Sequence, residues 1–301
     1  MLKFLPAHLR GVIVSLLLLF NLFFWVALLI PFMIIKVLVP IQFIRRPTDF
    51  ILNLFCTLWA SCNHLYLQFA NNVKMDISGT ENLSMKDWYL VLSNHQSWAD
   101  IIILQAVLNA RIPYFRFFLK KELAWIPLFN LVWFALDYPY MKRYSKTFLE
   151  KNPHLKGKDI ETTRKSCARF KHVPVSIMNF VEGTRFSEQK HAKQQSPYKY
   201  LLKPKAGGIA FVLAAMGDQL SSILDVTIYY SPKVAGFWEY LCGQIEEVRV
   251  QVSHIPITDE FMGDYFDDPE FKEGFQQRIN KLWQDKNRRL EEFTLLDSIA
   301  K

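Results

Sequence analysis

Apolar residues dominate the start of the chain. From Gly11 to Ile35 there are 25 residues without a charge. As a helix this run is about 38 Å long at ~1.5 Å per residue, longer than the ~30 Å of bilayer hydrocarbon. Lys3 and Arg10 precede it, and Lys36, Arg45 and Arg46 follow. A secretory signal has a shorter apolar run and a small-residue cleavage site, so the pattern reads as an uncleaved anchor; a buried core helix is the other reading. Pro31 is expected to kink this helix near its end. Basic residues on both sides leave the orientation open.

A second stretch, Phe50 to Val73, places Asn53, Thr57, Ser61, His64 and Gln68 at steps of three and four in an otherwise apolar sequence. That spacing predicts an amphipathic helix, lying in the membrane interface or packing the anchor against a globular domain. The lack of Lys and Arg on its polar face favours packing.

From Lys74 onward apolar runs alternate with helical patterns. Strands are expected at Lys74–Gly79, Trp88–Ser93, Tyr114–Leu119, Val175–Val181, Leu224–Tyr230 and Val248–His254. Helices are expected at Trp98–Asn109, Asp159–Phe170, Ala206–Met216 and Asp268–Leu290, and a polar, mobile loop at Glu188–Lys199. The fold class is α/β: a mixed, largely parallel sheet covered by helices, preceded by a hydrophobic helical membrane anchor. The division falls at 1–73 for the hydrophobic helices and 74–301 for the α/β domain.

Composition narrows the classes. The chain has 301 residues, 51% hydrophobic and 21% charged, with 25 Phe. This excludes intrinsic disorder, collagen and coiled coil. Cys56, Cys62, Cys167 and Cys242 form no CxxC pair, which argues against a disulfide scaffold or zinc ribbon. The formal net charge is +8. It is uneven: Lys142–Lys171 holds ten Lys/Arg against three Asp/Glu, whereas Thr258–Asp297 holds six against eleven. The basic stretch suits anionic lipid headgroups, a phosphorylated substrate or an acidic carrier protein. No nucleic-acid motif accompanies it, so nucleic acid is not expected as a partner.

Five short segments carry candidate chemistry. Asn94-His95-Gln96-Ser97-Trp98-Ala99-Asp100 follows an apolar strand and opens a helix. His95 in the turn and Asp100 one helical turn on can meet, with the carboxylate taking an imidazole N–H and fixing the tautomer. Spacing alone leaves a surface His and an Asp in a first helical turn as the plainer reading. Ser97 suits the helix N-cap. Phe180-Val181-Glu182-Gly183-Thr184-Arg185 also ends a strand. There Gly183 permits a tight turn, Arg185 offers a fork for phosphate, and Glu182 is placed to orient Arg185 or hold a substrate hydroxyl. Lys120 and Lys121, within Phe118–Leu123, and Lys142 and Arg143 put cations at element ends. Pro204-Lys205-Ala206-Gly207-Gly208 begins a helix that can bind an anion. HxxxxD is not a familiar zinc spacing, so no metal is expected.

In this order, with His95 and Glu182 87 residues apart, the motifs resemble the glycerolipid acyltransferases of the lysophosphatidic acid acyltransferase type, the HxxxxD acyltransferases. The resemblance runs from about Met75 to Tyr230, and the chain looks like the membrane-bound bacterial branch of roughly 300 residues. Two blocks depart from it. Tyr140-Met141-Lys142-Arg143 stands where the family often has Phe-x-Asp-Arg. Asp225-Val226-Thr227-Ile228 stands where it often has Val-Pro-Val, a variant that resembles several eukaryotic lysophospholipid acyltransferases.

The resemblance implies acyl transfer from a thioester, acyl-CoA or acyl carrier protein, to the sn-2 hydroxyl of lysophosphatidic acid, with no cofactor; another lysophospholipid as acceptor, or a membrane protein that binds lipid without catalysis, are the other readings. His95 is then the general base, held by Asp100. Arg185, with Arg143 and Lys120 or Lys121, binds the acceptor phosphate, and Glu182, Gly183 and Thr184 shape that pocket. The implied partners are membrane lipids, lysophosphatidic acid and the acyl donor. The implied location is the bacterial inner membrane with the catalytic domain on its cytoplasmic side.

Overall fold

The two apolar runs fold as a helical hairpin. Helix α1 spans Ala7–Leu38 and runs through Pro31. Helix α2 spans Gln42–Asn71, so it starts ahead of the expected Phe50 and takes in Pro47. Both are long and apolar enough to cross a bilayer. The structure is a computed structural model and describes residues 2–39, 41–120, 130, 132–134, 136–138, 140–141, 158–167, 170, 173–231 and 236–299.

The two helices pack along each other. Inside the hairpin, Asn21 Nδ2 donates to Asn63 Oδ1 at 2.7 Å and to the Trp59 carbonyl at 3.1 Å. Leu16, Phe20 and Phe23 of α1 and Phe50, Leu54 and Leu65 of α2 stay exposed, an apolar face of the kind that lipid covers. The polar face of α2 meets the rest of the chain: Asn109 donates to the Thr57 carbonyl and to Ser61 Oγ, both at 2.9 Å. Both ends of α1 are tied down. Arg10 Nε donates to the Cys242 carbonyl at 2.9 Å, and Lys36 pairs with Asp137 at 2.6 Å.

The described strands are β1 Lys74–Ser78, β2 Tyr89–Ser93, β3 Phe115–Phe117, β4 Leu119–Lys120, β5 Tyr140–Met141, β6 Ser176–Phe180, β7 Ser222–Ser231 and β8 Glu247–Pro256. Six form one sheet in the order β1-β8-β7-β2-β6-β3. All its pairings are parallel except the antiparallel β7–β8. The run expected as one strand over Tyr114–Leu119 divides. Phe115–Phe117 pairs with β6, Leu119–Lys120 pairs with β5, and Phe118 between them packs edge-on against Phe211.

Helices cover both faces. They are α3 Ala99–Leu108, α4 Lys158–Cys167, α5 Glu188–Gln194, α6 Ala206–Met216, α7 Phe237–Leu241 and α8 Pro269–Ile299. On one face Val91, Val226 and Ile228 pack with Ile103 and Val107 of α3. On the other, Leu90, Leu92 and Ile177 pack with Ile209 and Leu213 of α6 and with Ile279 and Trp283 of α8. All five residues of β2 are buried, which is why this strand reads as an unbroken apolar run.

Two expectations need correction. The segment Glu188–Lys199, expected as a loop, contains α5. Ser187 caps it by accepting the Lys190 N–H at 3.3 Å, and Glu188 sits in its first turn. The last helix passes the expected Leu290 and ends at Ile299. Its final turns are held by Arg249–Asp297 at 2.8 Å and by Tyr229 Oη donating to Asp297 at 2.9 Å.

Candidate active site

Strand β2 lies between β6 and β7 and runs parallel to both, so their C-terminal ends open on one edge of the sheet. In sheets of this kind, ligands bind at that edge. Residues 94–100 follow β2, residues 181–186 follow β6, and Tyr230 stands near the end of β7.

Asn94 joins the first of these to the third. Its side-chain amide donates to the Ile228 carbonyl and accepts the Ile228 N–H, both at 2.9 Å. The side chain thus extends the β2–β7 ladder by one rung while the backbone turns away. His95 follows, and its Nδ1 lies 2.7 Å from Asp100 Oδ2. A carboxylate accepts, so Nδ1 carries the proton and the Nε2 lone pair is left free. Nε2 has no partner among the described residues. The imidazole stacks on Phe180, with ring centroids 3.9 Å apart.

Asp100 is fully buried and well supplied with donors. Oδ2 also accepts the N–H of Gln96 at 2.7 Å and of Ser97 at 3.0 Å, and Oδ1 accepts Tyr230 Oη at 2.5 Å. Ser97 Oγ accepts the Ala99 N–H at 3.2 Å, at the start of α3. Burial raises the Tyr230 phenol well above its ordinary value, and the Asp100 charge adds to this, so the hydroxyl keeps its proton and donates.

Glu182 is also fully buried. One oxygen accepts the His95 N–H and the other the Leu202 N–H, each at 3.0 Å. The carboxylate therefore neither orients Arg185 nor lies open to a substrate hydroxyl. Burial pushes it up to about 7, against the lowering effect of these two bonds. Gly183 has φ +66°, in the region that favours glycine, and closes the turn with its N–H on the Phe180 carbonyl at 2.9 Å.

Cations gather around this turn. The Lys205 side chain lies over Gly183, so that a Cβ there would stand 3.2 Å from Nζ. Lys190 Nζ donates to Thr184 Oγ1 at 2.8 Å and to the Arg185 carbonyl at 2.9 Å. Arg185 is exposed and stacks its guanidinium on exposed Trp98, 4.6 Å from the ring centre. Its N–H donors have no hydrogen-bond partner among the described residues. Of the other expected phosphate ligands, Lys120 ends β4, while Lys121 and Arg143 lie outside the described residues.

Tyr230, Trp98 and Lys190 received no role from the sequence. For Tyr230 the signal was strand alternation. Leu224, Val226, Ile228 and Tyr230 share one face of β7, the face that packs on α3, where Asp100 sits. Residues Asp225 and Thr227 share the other face, and there they meet α8. Lys286 Nζ, fully buried, pairs with Asp225 at 2.8 Å, and Arg289 donates to Asp225 and Thr227, both at 3.0 Å. This is the physical content of the Asp225–Ile228 departure: the polar pair serves two cations from the C-terminal helix.

A family model described as Acyltransferase matches residues 74–231, just over half of the chain and the segment that builds this site. Mouse 1-acyl-sn-glycerol-3-phosphate acyltransferase epsilon is 23% identical over 86% of this chain and 71% of its own length. The mouse gamma enzyme is 24% identical over 76% of this chain and 57% of its own length. Against the mouse delta enzyme, the match spans only 44% of that relative. In fold, the chain is similar to the crystal structure of the 1-acyl-sn-glycerophosphate (LPA) acyltransferase from Thermotoga maritima. That match has a TM-score of 0.54 and 15% identity, and covers 96% of this chain and 98% of the other. The chain belongs to the acyltransferase family of enzymes.

Proposed function

We propose that the protein is a membrane-bound O-acyltransferase. It moves a fatty acyl group from a thioester, acyl-CoA or acyl carrier protein, to the sn-2 hydroxyl of 1-acylglycerol-3-phosphate and yields phosphatidic acid. The observation that carries this reading is His95 Nδ1 held 2.7 Å from buried Asp100, with Nε2 unclaimed. The names of the mouse relatives support the acceptor.

The acceptor oxygen attacks the thioester carbonyl carbon and forms the new C–O bond while Nε2 takes its proton. The tetrahedral oxyanion collapses, the C–S bond breaks, and Nε2 returns the proton to the leaving thiolate. General-base catalysis of this kind is worth roughly 10²–10⁴ in rate. Asp100 holds the tautomer and meets the positive charge that forms on the ring. The backbone N–H groups of His95, Gln96 and Ser97 already serve Glu182 and Asp100, so they are not the oxyanion's donors. Arg185, with Lys205 and Lys190 beside it, binds the acceptor phosphate, and Thr184 and Gly183 shape that turn. By the resemblance, Lys120, Lys121 and Arg143 also contribute to binding that phosphate. The reaction needs no metal or cofactor. Thioester donors are cytoplasmic, which puts the domain on the cytoplasmic side of the membrane, the inner membrane in a bacterium. There the apolar hairpin lets a lysolipid reach the site without leaving the bilayer.

The test is acyl transfer by purified protein in detergent, with labelled acyl-CoA and then acyl carrier protein, a panel of lysolipids, and His95→Ala in parallel. Label in phosphatidic acid that disappears in the variant supports reaction, acceptor and base together. Label only in another phospholipid keeps the mechanism and changes the acceptor. No transfer from either donor overturns the reading.

A further inference from the structure

We propose that Tyr230 is a positioning residue of the catalytic pair: its hydroxyl, bonded to Asp100, fixes the carboxylate that orients His95. For its kinetic test only, this rests on the acyl-transfer reading above.

The argument is one of donors and lone pairs. An ionised carboxylate has about four acceptor sites, two on each oxygen. Three donors fall on Asp100 Oδ2: His95 Nδ1 and the N–H groups of Gln96 and Ser97. All three belong to the same turn. Oδ1 has one donor among the described residues, Tyr230 Oη, and it comes from a different strand. Three bonds on one oxygen, all from one turn, leave the carboxylate plane free to swing about Oδ2; the bond from β7 removes that freedom. The His95 ring follows the carboxylate, because among the described residues the ring's other contact is the stacked Phe180 face, while the His95 N–H bond to Glu182 and the Phe186 N–H bond to the His95 carbonyl hold only the backbone. Asp100 is fully buried, so water does not replace a lost donor on Oδ1 without opening the core.

Tyr230 is itself fit for this. It is 2% exposed and packs within the α3 face of the sheet, so its ring is fixed before the hydroxyl is considered. Burial keeps the phenol protonated, as a donor to Asp100 must be. Tyr230→Phe deletes the hydroxyl and keeps the ring.

Two measurements on the full-length protein in detergent test the role. The first is steady-state kinetics. Tyr230→Phe is expected to lower kcat about tenfold, the scale of one hydrogen bond to a charged group, and to leave both KM values within twofold. The second is the Nδ1–H proton resonance of His95 in histidine-labelled protein, assigned by its loss in His95→Ala. It is expected to shift in Tyr230→Phe. A lower Tm with unchanged kcat and an unmoved resonance means that the tyrosine only fills space, and overturns the proposal. A fall in kcat with the resonance unmoved, or a rise in KM alone, places the effect elsewhere and also overturns it. If the wild type transfers no acyl group to any acceptor, the functional reading has failed; the resonance then decides the positioning role by itself.

Discussion

Glu182 holds His95 by its backbone: one carboxylate oxygen accepts the His95 N–H at 3.0 Å, and the other accepts Leu202 N–H at 3.0 Å. The turn after β6 thereby fixes the turn after β2. Trp283 of α8 extends the chain of contacts, since its Nε1 donates to the Leu202 carbonyl at 3.0 Å. The C-terminal helix therefore supports the segment that supports the imidazole, although it lies beyond the matched family segment.

This arrangement makes stability depend on pH through Glu182. Its carboxyl is raised by burial from 4.5 to about 7. Between those values the folded state holds a proton that the unfolded chain has released. The stabilising contribution of this group is therefore complete below pH 4.5 and is lost as pH rises through 7. Glu182→Gln does not titrate. The stability of wild type minus variant is expected to fall by about 3 kcal/mol across that window, at ~1.4 kcal/mol per pH unit. Denaturant midpoints at a series of pH values would check it, and parallel curves for the two proteins would refute it. A glutamine amide also meets only one of the two N–H groups, so turnover is expected to drop about tenfold.

Arg185 and Trp98 form the exposed side of the site. Stacking fixes the guanidinium and uses none of its N–H donors, so they stay available for a phosphate. Arg185→Ala is expected to raise KM for the phosphorylated acceptor ten- to a hundredfold, the loss of charge-assisted bonds. Trp98→Ala removes only the platform, worth ~0.5–1 kcal/mol at an exposed position, and is expected to raise the same KM two- to fivefold. KM for the thioester should stay constant in both. Equal changes in the two KM values would mean that this cation does not face the acceptor.

The pairing of His95 with Asp100 was permitted by the five-residue spacing, a polar turn plus one helical turn, but it took the order of the other motifs to favour it over a surface His. Strand β2 was legible because a strand buried on both faces is almost wholly apolar, and β6 and β7 because they are rich in apolar and β-branched residues. The role of Glu182 was not. Its partners are backbone N–H groups, which carry no sequence signature. Lys286 was hidden for another reason. In a helix with eleven acidic and basic neighbours it looks solvent-exposed, and its burial depends on Asp225, which is some 60 residues away. Helix α5 was overlooked because its residues are polar, although Ser187 and Glu188 mark its start.

Lys286 and Asp225 make a sharper prediction about stability. Both are buried, and Lys286 Nζ also donates to the Val226 carbonyl at 2.5 Å. Burial lowers the Lys286 ammonium from its ordinary value while the Asp225 charge opposes this. Lys286→Met leaves Asp225 with Arg289 alone, and removal of one partner of a buried pair typically costs about 3–5 kcal/mol. Arg289 makes the lower end the expected value. The double variant Lys286→Met/Asp225→Leu removes both charges and should recover part of the loss. A single variant as stable as wild type in thermal unfolding would show that Arg289 satisfies Asp225 unaided.

The apolar hairpin carries one polar contact whose strength can be measured. Asn21 is 2% exposed and Asn63 is 3% exposed, and they bond across the α1–α2 interface at 2.7 Å. Between apolar helices such bonds are worth ~0.6 kcal/mol on average and up to ~1.7, because the separated helices find other partners. Asn63→Leu strands one donor of Asn21 and keeps the other on the Trp59 carbonyl at 3.1 Å, so a loss of about 1 kcal/mol is expected. Asn21→Leu/Asn63→Leu removes donor and acceptor together and should come close to wild type. Thermal unfolding in detergent, with protease cleavage between the helices as a second readout, separates the outcomes. If the double variant is less stable than Asn63→Leu alone, the amides do more than satisfy each other, and the pair is holding the register in which α2 presents Thr57 and Ser61 to Asn109.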